Sequence, residues 1–171
     1  MHVLPAILHN RPATIVSEAE RHIRTAQQNG YVVALAYADC GTYGALDALC
    51  ERYRVHRLPG LHCYDLYAGP ARMKAFFDRE PGTYVLTDFL LRGFDKLVLG
   101  SLGLDRHPEL WNDYFGHYTR LVWLAQAPAP APALEAEASR VAALFGLPLT
   151  RIDTGLSRLE VALEAVVTAW L

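Results

Sequence analysis

Two thiols and two imidazoles stand where an α/β chain places reactive groups. Cys40 lies in Asp39-Cys40-Gly41-Thr42-Tyr43-Gly44, and Cys63 lies in His62-Cys63-Tyr64. Thiolate sulfur and imidazole nitrogen suit zinc, iron and copper. A set made of Cys40, Cys63 and one of His9 or His62 leaves an open position, as a catalytic metal requires. The same thiol has a metal-free use. The two glycines let the backbone turn tightly and approach a ligand. The helix start behind them offers N–H groups and a partial positive end, which stabilise an anion or a thiolate. Cys40 then becomes a nucleophile and His9 or His62 its base. Asp39 joins Cys40 and His62 as a catalytic candidate, and Gly41, Thr42, Gly44 and Asn10 become anion-binding candidates. The plain alternative is a tight turn with Cys40 as a small buried filler. The G-x-x-G spacing is not the G-x-G-x-x-G of dinucleotide sites, and no Gly-Lys-Ser/Thr ending marks a phosphate loop. Cys50 falls mid-helix among Leu46, Leu49 and Tyr53 and reads as core.

The elements that must position these groups alternate. Val3 to Leu8 reads as a strand with His9-Asn10 past its end, and Pro12 opens a helix through Gln28. Its apolar positions Ile15, Ala19, Ile23 and Ala26 share one face. Tyr31 to Tyr37 is a continuous apolar run, the habit of a strand buried on both faces. A helix over Ala45 to Tyr53 and a short strand over Val55 to Leu58 follow, the latter stopped by Pro59-Gly60. Further helices are predicted over Pro70 to Asp78, Asp88 to Leu99, Pro108 to Tyr114, Leu134 to Phe145 and Leu156 to Trp170. Strands are predicted over Tyr84 to Leu86, Leu121 to Ala125 and Leu147 to Ile152. The alternation implies one α/β domain spanning residues 1–171. Its expected form is an open, mostly parallel sheet of five or six strands with helices on both faces, a Rossmann-like three-layer sandwich. Residues 127–133 (APAPAPA) form an extended surface loop inside it. In such a sheet, ligands bind beyond the carboxyl ends of the strands. His9-Asn10, Asp39-Cys40, His62-Cys63, Gln126 and Thr154 all fall there.

Composition narrows the classes. The chain has 171 residues, 52% apolar and 20% charged, with a net charge of −2. That is one domain's length and a core-forming balance, and the absence of a basic stripe makes nucleic acid an unsuitable partner. No apolar stretch approaches the roughly 20 residues of a membrane helix. Met1-His2 leads directly into the first apolar run without the charged region of a signal peptide, so a soluble cytoplasmic protein is expected. Three cysteines in that setting argue against a disulfide framework. Two other clusters weigh differently. Asp105 and His107 could serve as acid and base, but Asp105 is first a cap for the helix Pro108 begins. Asp88 is likewise first a cap. Trp111, Tyr114, Phe115 and Tyr118 read as core or an oligomer face.

The motifs Leu4 to Pro12 (LPAILHNRP), Tyr37 to Asp47 (YADCGTYGALD) and Arg57 to Tyr64 (RLPGLHCY) resemble the family known as domain of unknown function 1638. Pro81 to Leu90, Gly103 to Leu110 and Tyr114 to Tyr118 continue the likeness in order. The resemblance implies an α/β fold and a shared site at Cys40, Cys63 and His9. Many members begin with an earlier strand bearing a Cys-Gly pair, so a three-thiolate iron–sulfur site is not expected here. The family's association with corrinoid-dependent methyl transfer implies a link to one-carbon metabolism. Three readings follow, in order: a zinc or iron protein, a metal-free enzyme acting on a small anionic substrate, and a non-catalytic accessory protein. The partners expected are a small-molecule ligand, with a homodimer or a methyltransferase-system protein as candidate assemblies.

Overall fold

A computed structural model describes residues 2–129 and 131–169. The chain divides into two units. One comprises the residues up to Leu66 together with those from Ser157 onward, and the other runs from Tyr67 to Leu156.

The first unit opens with a 3-10 helix, Ala6–Asn10. The strand expected over Val3 to Leu8 does not form. Pro5 has no N–H for a ladder, and the backbone closes on itself instead, with Leu8 N–H donating to Pro5 O (3.1 Å) and Arg11 N–H to Leu8 O (2.9 Å). Helix α1 (Pro12–Gln28) starts on its proline and buries Ile15, Ala19 and Ile23. These pack with Leu8, with Leu46, Leu49 and Cys50 of α2 (Ala45–Tyr53), and with Val55. Burying each isoleucine contributes roughly 1.5–3 kcal/mol. Strand β1 is only Ala34–Leu35, paired in parallel with β2, His56–Arg57. The apolar run starts before the strand because the parallel register sets Tyr31 and Val32 opposite Tyr53 and Arg54, where α2 is still ending. Tyr31 and Val32 find no ladder partner and stay 69% and 70% exposed. Helix α3 (Cys63–Ala68), unanticipated in the sequence reading, follows β2.

The second unit contains α4 (Pro70–Arg79), β3 (Thr83–Thr87), α5 (Asp88–Arg92), α6 (Trp111–Phe115), β4 (Arg120–Ala125), α7 (Pro132–Phe145) and β5 (Leu149–Asp153). Its strands are parallel in the order β3-β4-β5. Register places Trp123 beside Leu86 on one side and Arg151 on the other. Residues 121–125 of the central strand are all buried, as a covered parallel strand requires. Its core joins Leu86, Leu91, Phe94, Phe115, Trp123, Leu134 and Val141. Trp111 and Phe115 pack on Phe145, so these aromatics belong to this core. The helix expected over Asp88 to Leu99 breaks at Gly93 and resumes as a π-helical turn, Asp95–Gly100.

The final helix, α8 (Ser157–Thr168), returns to the first unit, where Val166 packs with Ala38, Leu58 and Leu66. Trp170, placed in this helix by its sequence, lies outside the described residues, as does Pro130. The loop expected over 127–133 stops short of its predicted end because α7 already begins at Pro132, where a proline suits the first helical turn. Among the described residues there are five strands, all in parallel pairs. These make two sheets of two and three strands, not one of five or six. Polar residues at strand ends therefore do not share one sheet edge: Cys40 and Cys63 follow β1 and β2, whereas Gln126 and Thr154 follow β4 and β5.

Candidate metal centre

The loops that leave β1 and β2 remain joined after the strands end. Asp39 N–H donates to Gly60 O (3.1 Å) and Cys40 N–H to Leu61 O (2.9 Å). Each loop is tied down by a buried aspartate. Asp39, 6% exposed, accepts from Thr42 Oγ1 (2.5 Å) and from the Tyr43 and Gly44 amides (3.0 Å each). Burial opposes ionisation of Asp39, but the Thr42 hydroxyl, those two amides and Arg57 outweigh it and hold the carboxyl below its ordinary range. Asp65 accepts from the Leu61 (2.9 Å) and His62 (3.2 Å) amides. Gly60 makes this second turn possible. Its φ is +106°, and a Cβ there would sit 3.1 Å from the Asp65 Cβ. Arg57 braces both loops with a bidentate pair to Asp47 on α2 (2.6 and 2.9 Å) and a bond to Leu58 O (2.7 Å).

This scaffold carries local strain. Cys40 has φ +49° and Tyr43 has φ +53°, left-handed values that side chains other than glycine rarely adopt. Each costs on the order of 1–3 kcal/mol and persists only where surrounding bonds enforce it. The Asp39 carboxylate supplies those bonds.

The Cys40 thiol meets Cys63, at the start of α3, and His9, on the 3-10 helix. One donor atom from each lies within 4.8 Å of the others. The two thiols are half-buried and His9 is exposed. A hydrogen bond from Cys63 lowers the Cys40 thiol, burial resists, and His9 lowers it further, to about 5. Cys63 is pushed far up, first by its bond to Cys40 and then by burial. The two thiols titrate as a coupled pair in which Cys40 is the one that ionises more readily. Tyr37 borders the cluster, with its hydroxyl 3.2 Å from His9 Nδ1 and its ring stacked on the imidazole at 5.3 Å. Burial, and then both thiols, push the Tyr37 phenol well above its ordinary range and keep it protonated.

The sequence-predicted residues separate accordingly. His9, not His62, reaches the thiols. His62 is exposed beside Tyr64 (6.3 Å). Asp39 is committed to its own loop. The amides of Thr42, Tyr43 and Gly44 all donate to Asp39, so the chain supplies the anion at this helix start itself. Gly41, at φ +87°, brings the loop against Pro12, where a Cβ would be 3.5 Å from Cγ, and this places Cys40 near His9. Asn10 ends the 3-10 helix and is exposed. Sequence reasoning missed Tyr37, Arg57 and Asp65. Tyr37 was absorbed into a hydrophobic strand. Asp65, two residues after Cys63, repeats the acid-near-thiol pattern of Asp39-Cys40 and could have been noticed.

The other sequence candidates are structural or apart. Asp105 does not cap the helical turn at Pro108; His107 occupies that position without a side-chain bond, and its Nδ1 lies 3.1 Å from Glu109. At β3, the cap is Thr87, which accepts from Leu90 N–H (3.2 Å). Asp88 instead accepts from Trp123 Nε1 (2.8 Å) and the Ala127 amide (2.6 Å).

Fold and site together define a mixed helix–strand protein with parallel pairing and a Cys/Cys/His cluster beyond the strands β1 and β2. Residues 3–163 match the family described as Protein of unknown function (DUF1638), and the chain belongs to that family. No curated protein and no solved structure matches the chain. Among the described residues, no helix is long and apolar enough to cross a membrane.

Proposed function

We propose that this protein binds one zinc or iron ion through Cys40, Cys63 and His9. The observation that carries the reading is the convergence, within 4.8 Å, of two thiols and an imidazole from three separate segments. Tetrahedral zinc with bonds near 2.3 Å holds two sulfurs about 3.8 Å apart, so the donors need close by no more than about 1 Å. The donor set is the soft S₂N kind that suits both metals. When bound, such an ion supplies Lewis-acid activation to a small molecule in the remaining position. The chain's own part is to hold the loops rigid through Asp39, Asp65 and Arg57 and to lose the thiol protons. The resemblance noted above favours a setting in one-carbon or corrinoid-linked metabolism for this role.

Elemental analysis of protein purified anaerobically, without a metal affinity step, tests the reading. About one ion per chain is expected, and its loss in Cys40→Ser and in Cys63→Ser. A metal-free wild type that also fails to take up zinc would overturn it.

One observation favours a second reading. A Cys40 thiol lowered to about 5 is a ready nucleophile, with His9 as its partner. Stoichiometric alkylation of Cys40 that ends turnover of an anionic substrate, in protein free of metal, would select it. The occupied amides of 42–44 leave that substrate no oxyanion cradle in this loop, which ranks the reading second.

A further inference from the structure

We propose that Tyr37 is a positioning residue that decides which nitrogen of His9 meets the thiols, an inference that rests on the metal-binding reading above. An imidazole ligates through one ring nitrogen, and the group bonded to the other sets its tautomer and orientation. The Tyr37 hydroxyl lies 3.2 Å from Nδ1, and the two rings stack with an interplanar angle of 29°. With Nδ1 held by the phenol and donating its proton to the phenol oxygen, Nε2 would be the nitrogen left to meet Cys40 and Cys63.

The need for such a residue follows from where His9 stands. It is exposed, on a five-residue 3-10 helix, so packing alone does little to hold its ring. Tyr37 is better anchored. It lies two residues past the end of β1, its amide donates to Leu35 O (2.8 Å), and it precedes Cys40 by three residues. The histidine's orienter and the first thiol thus share one rigid stretch of backbone. The chemistry of the orienter also fits. Two thiolates and a neutral imidazole already balance a divalent ion, and a phenol adds no charge, whereas the more common carboxylate would leave the site negative.

The test uses the full chain with zinc and cobalt as probes. Apo wild type and Tyr37→Phe are titrated with zinc against a chromophoric chelator, and with cobalt while the thiolate-to-metal band is followed. Removal of an outer partner of a ligating histidine typically weakens metal binding 10–100-fold. That loss is expected for Tyr37→Phe, with the one-to-one stoichiometry, the cobalt–thiolate band and the apo thermal midpoint all retained. Nitrogen-15 imidazole spectra of the zinc-loaded wild type should show Nδ1 protonated and Nε2 bound to metal. Unchanged zinc affinity in Tyr37→Phe, or a metal-bound Nδ1 in the wild type, would overturn the role of Tyr37 while leaving the metal centre standing. Failure of the wild type to bind either ion would remove the metal centre, and this inference with it.

Discussion

Asp39, just past β1, and Asp88, at the end of β3, are both buried carboxylates that follow parallel strands, yet they do different work. Asp88, 3% exposed, spends its oxygens on Trp123 and on the Ala127 amide. Gln126 Oε1 accepts from the Asp88 amide (2.9 Å), so the ends of β3 and β4 are cross-linked by their own side chains. Asp39 spends its oxygens on residues three to five positions ahead, and the result is a strained loop that holds a thiol. The sheets differ in the same sense. The three-stranded one has five-residue registers and a fully buried central strand. The two-stranded one has a two-residue register. Short strands with braced loops leave reactive groups at the surface, whereas long, covered strands seal their ends. The comparison teaches that one device, a buried acid after a parallel strand, can close an edge or hold a site, depending on what it is bonded to.

The largest effect is expected from the thiols. Cys63→Ala should abolish stoichiometric metal, whereas Asp88→Ala should leave metal content at the wild-type value, both read by elemental analysis. Next comes the pH profile of Cys40 alkylation by iodoacetamide in metal-free protein. The thiolate is the reactive form, and a lowered pKa means it is fully present at neutral pH and lost as pH falls through about 5. In Cys63→Ala the midpoint should climb toward the ordinary thiol value of about 8.5. A wild-type midpoint already in that ordinary range would contradict the thiol pairing.

Stability effects follow. Asp88→Ala strands the Trp123 indole N–H and the Ala127 amide, and urea denaturation should show a loss of about 3 kcal/mol. A loss under about 0.5 kcal/mol, the level of an ordinary surface substitution, would mean that the sealed edge is not sealed by this residue. The smallest effect is expected from Gly60→Ala. A side chain at φ +106° and against Asp65 should cost about 1–2 kcal/mol and weaken zinc binding by displacing the Cys63 loop. Undiminished zinc affinity in a destabilised Gly60→Ala protein would separate the loop's conformation from the centre it carries.

Much was legible in the linear chain. Pro12, the Ile15/Ala19/Ile23 spacing and the turn that ends at Gly44 place α1 and α2 within a residue of their observed limits. These are local signals, written in caps and periodicity. Cys40, Cys63 and His9 stand out as candidate donors from residue type and from their positions in turns. The strands were less well read where pairing decided their length. Tyr31 to Tyr37 is an apolar run, but a strand extends only as far as its neighbour, and β2 offers two residues. Val3 to Leu8 had strand-like composition and no partner, so its backbone turned into a 3-10 helix.

The sequence by itself determined the donor types, the tight turns that expose them and the helices that frame them, because each depends on a few adjacent residues. Tertiary structure alone decided that the strands separate into two sheets and that His9 rather than His62 meets the thiols. Those outcomes depend on hydrogen bonds and contacts between residues distant in sequence: Cys40 to Leu61, Tyr37 to His9, Arg57 to Asp47. Backbone and side-chain groups must be satisfied somewhere, and only the folded chain shows which partner each has found.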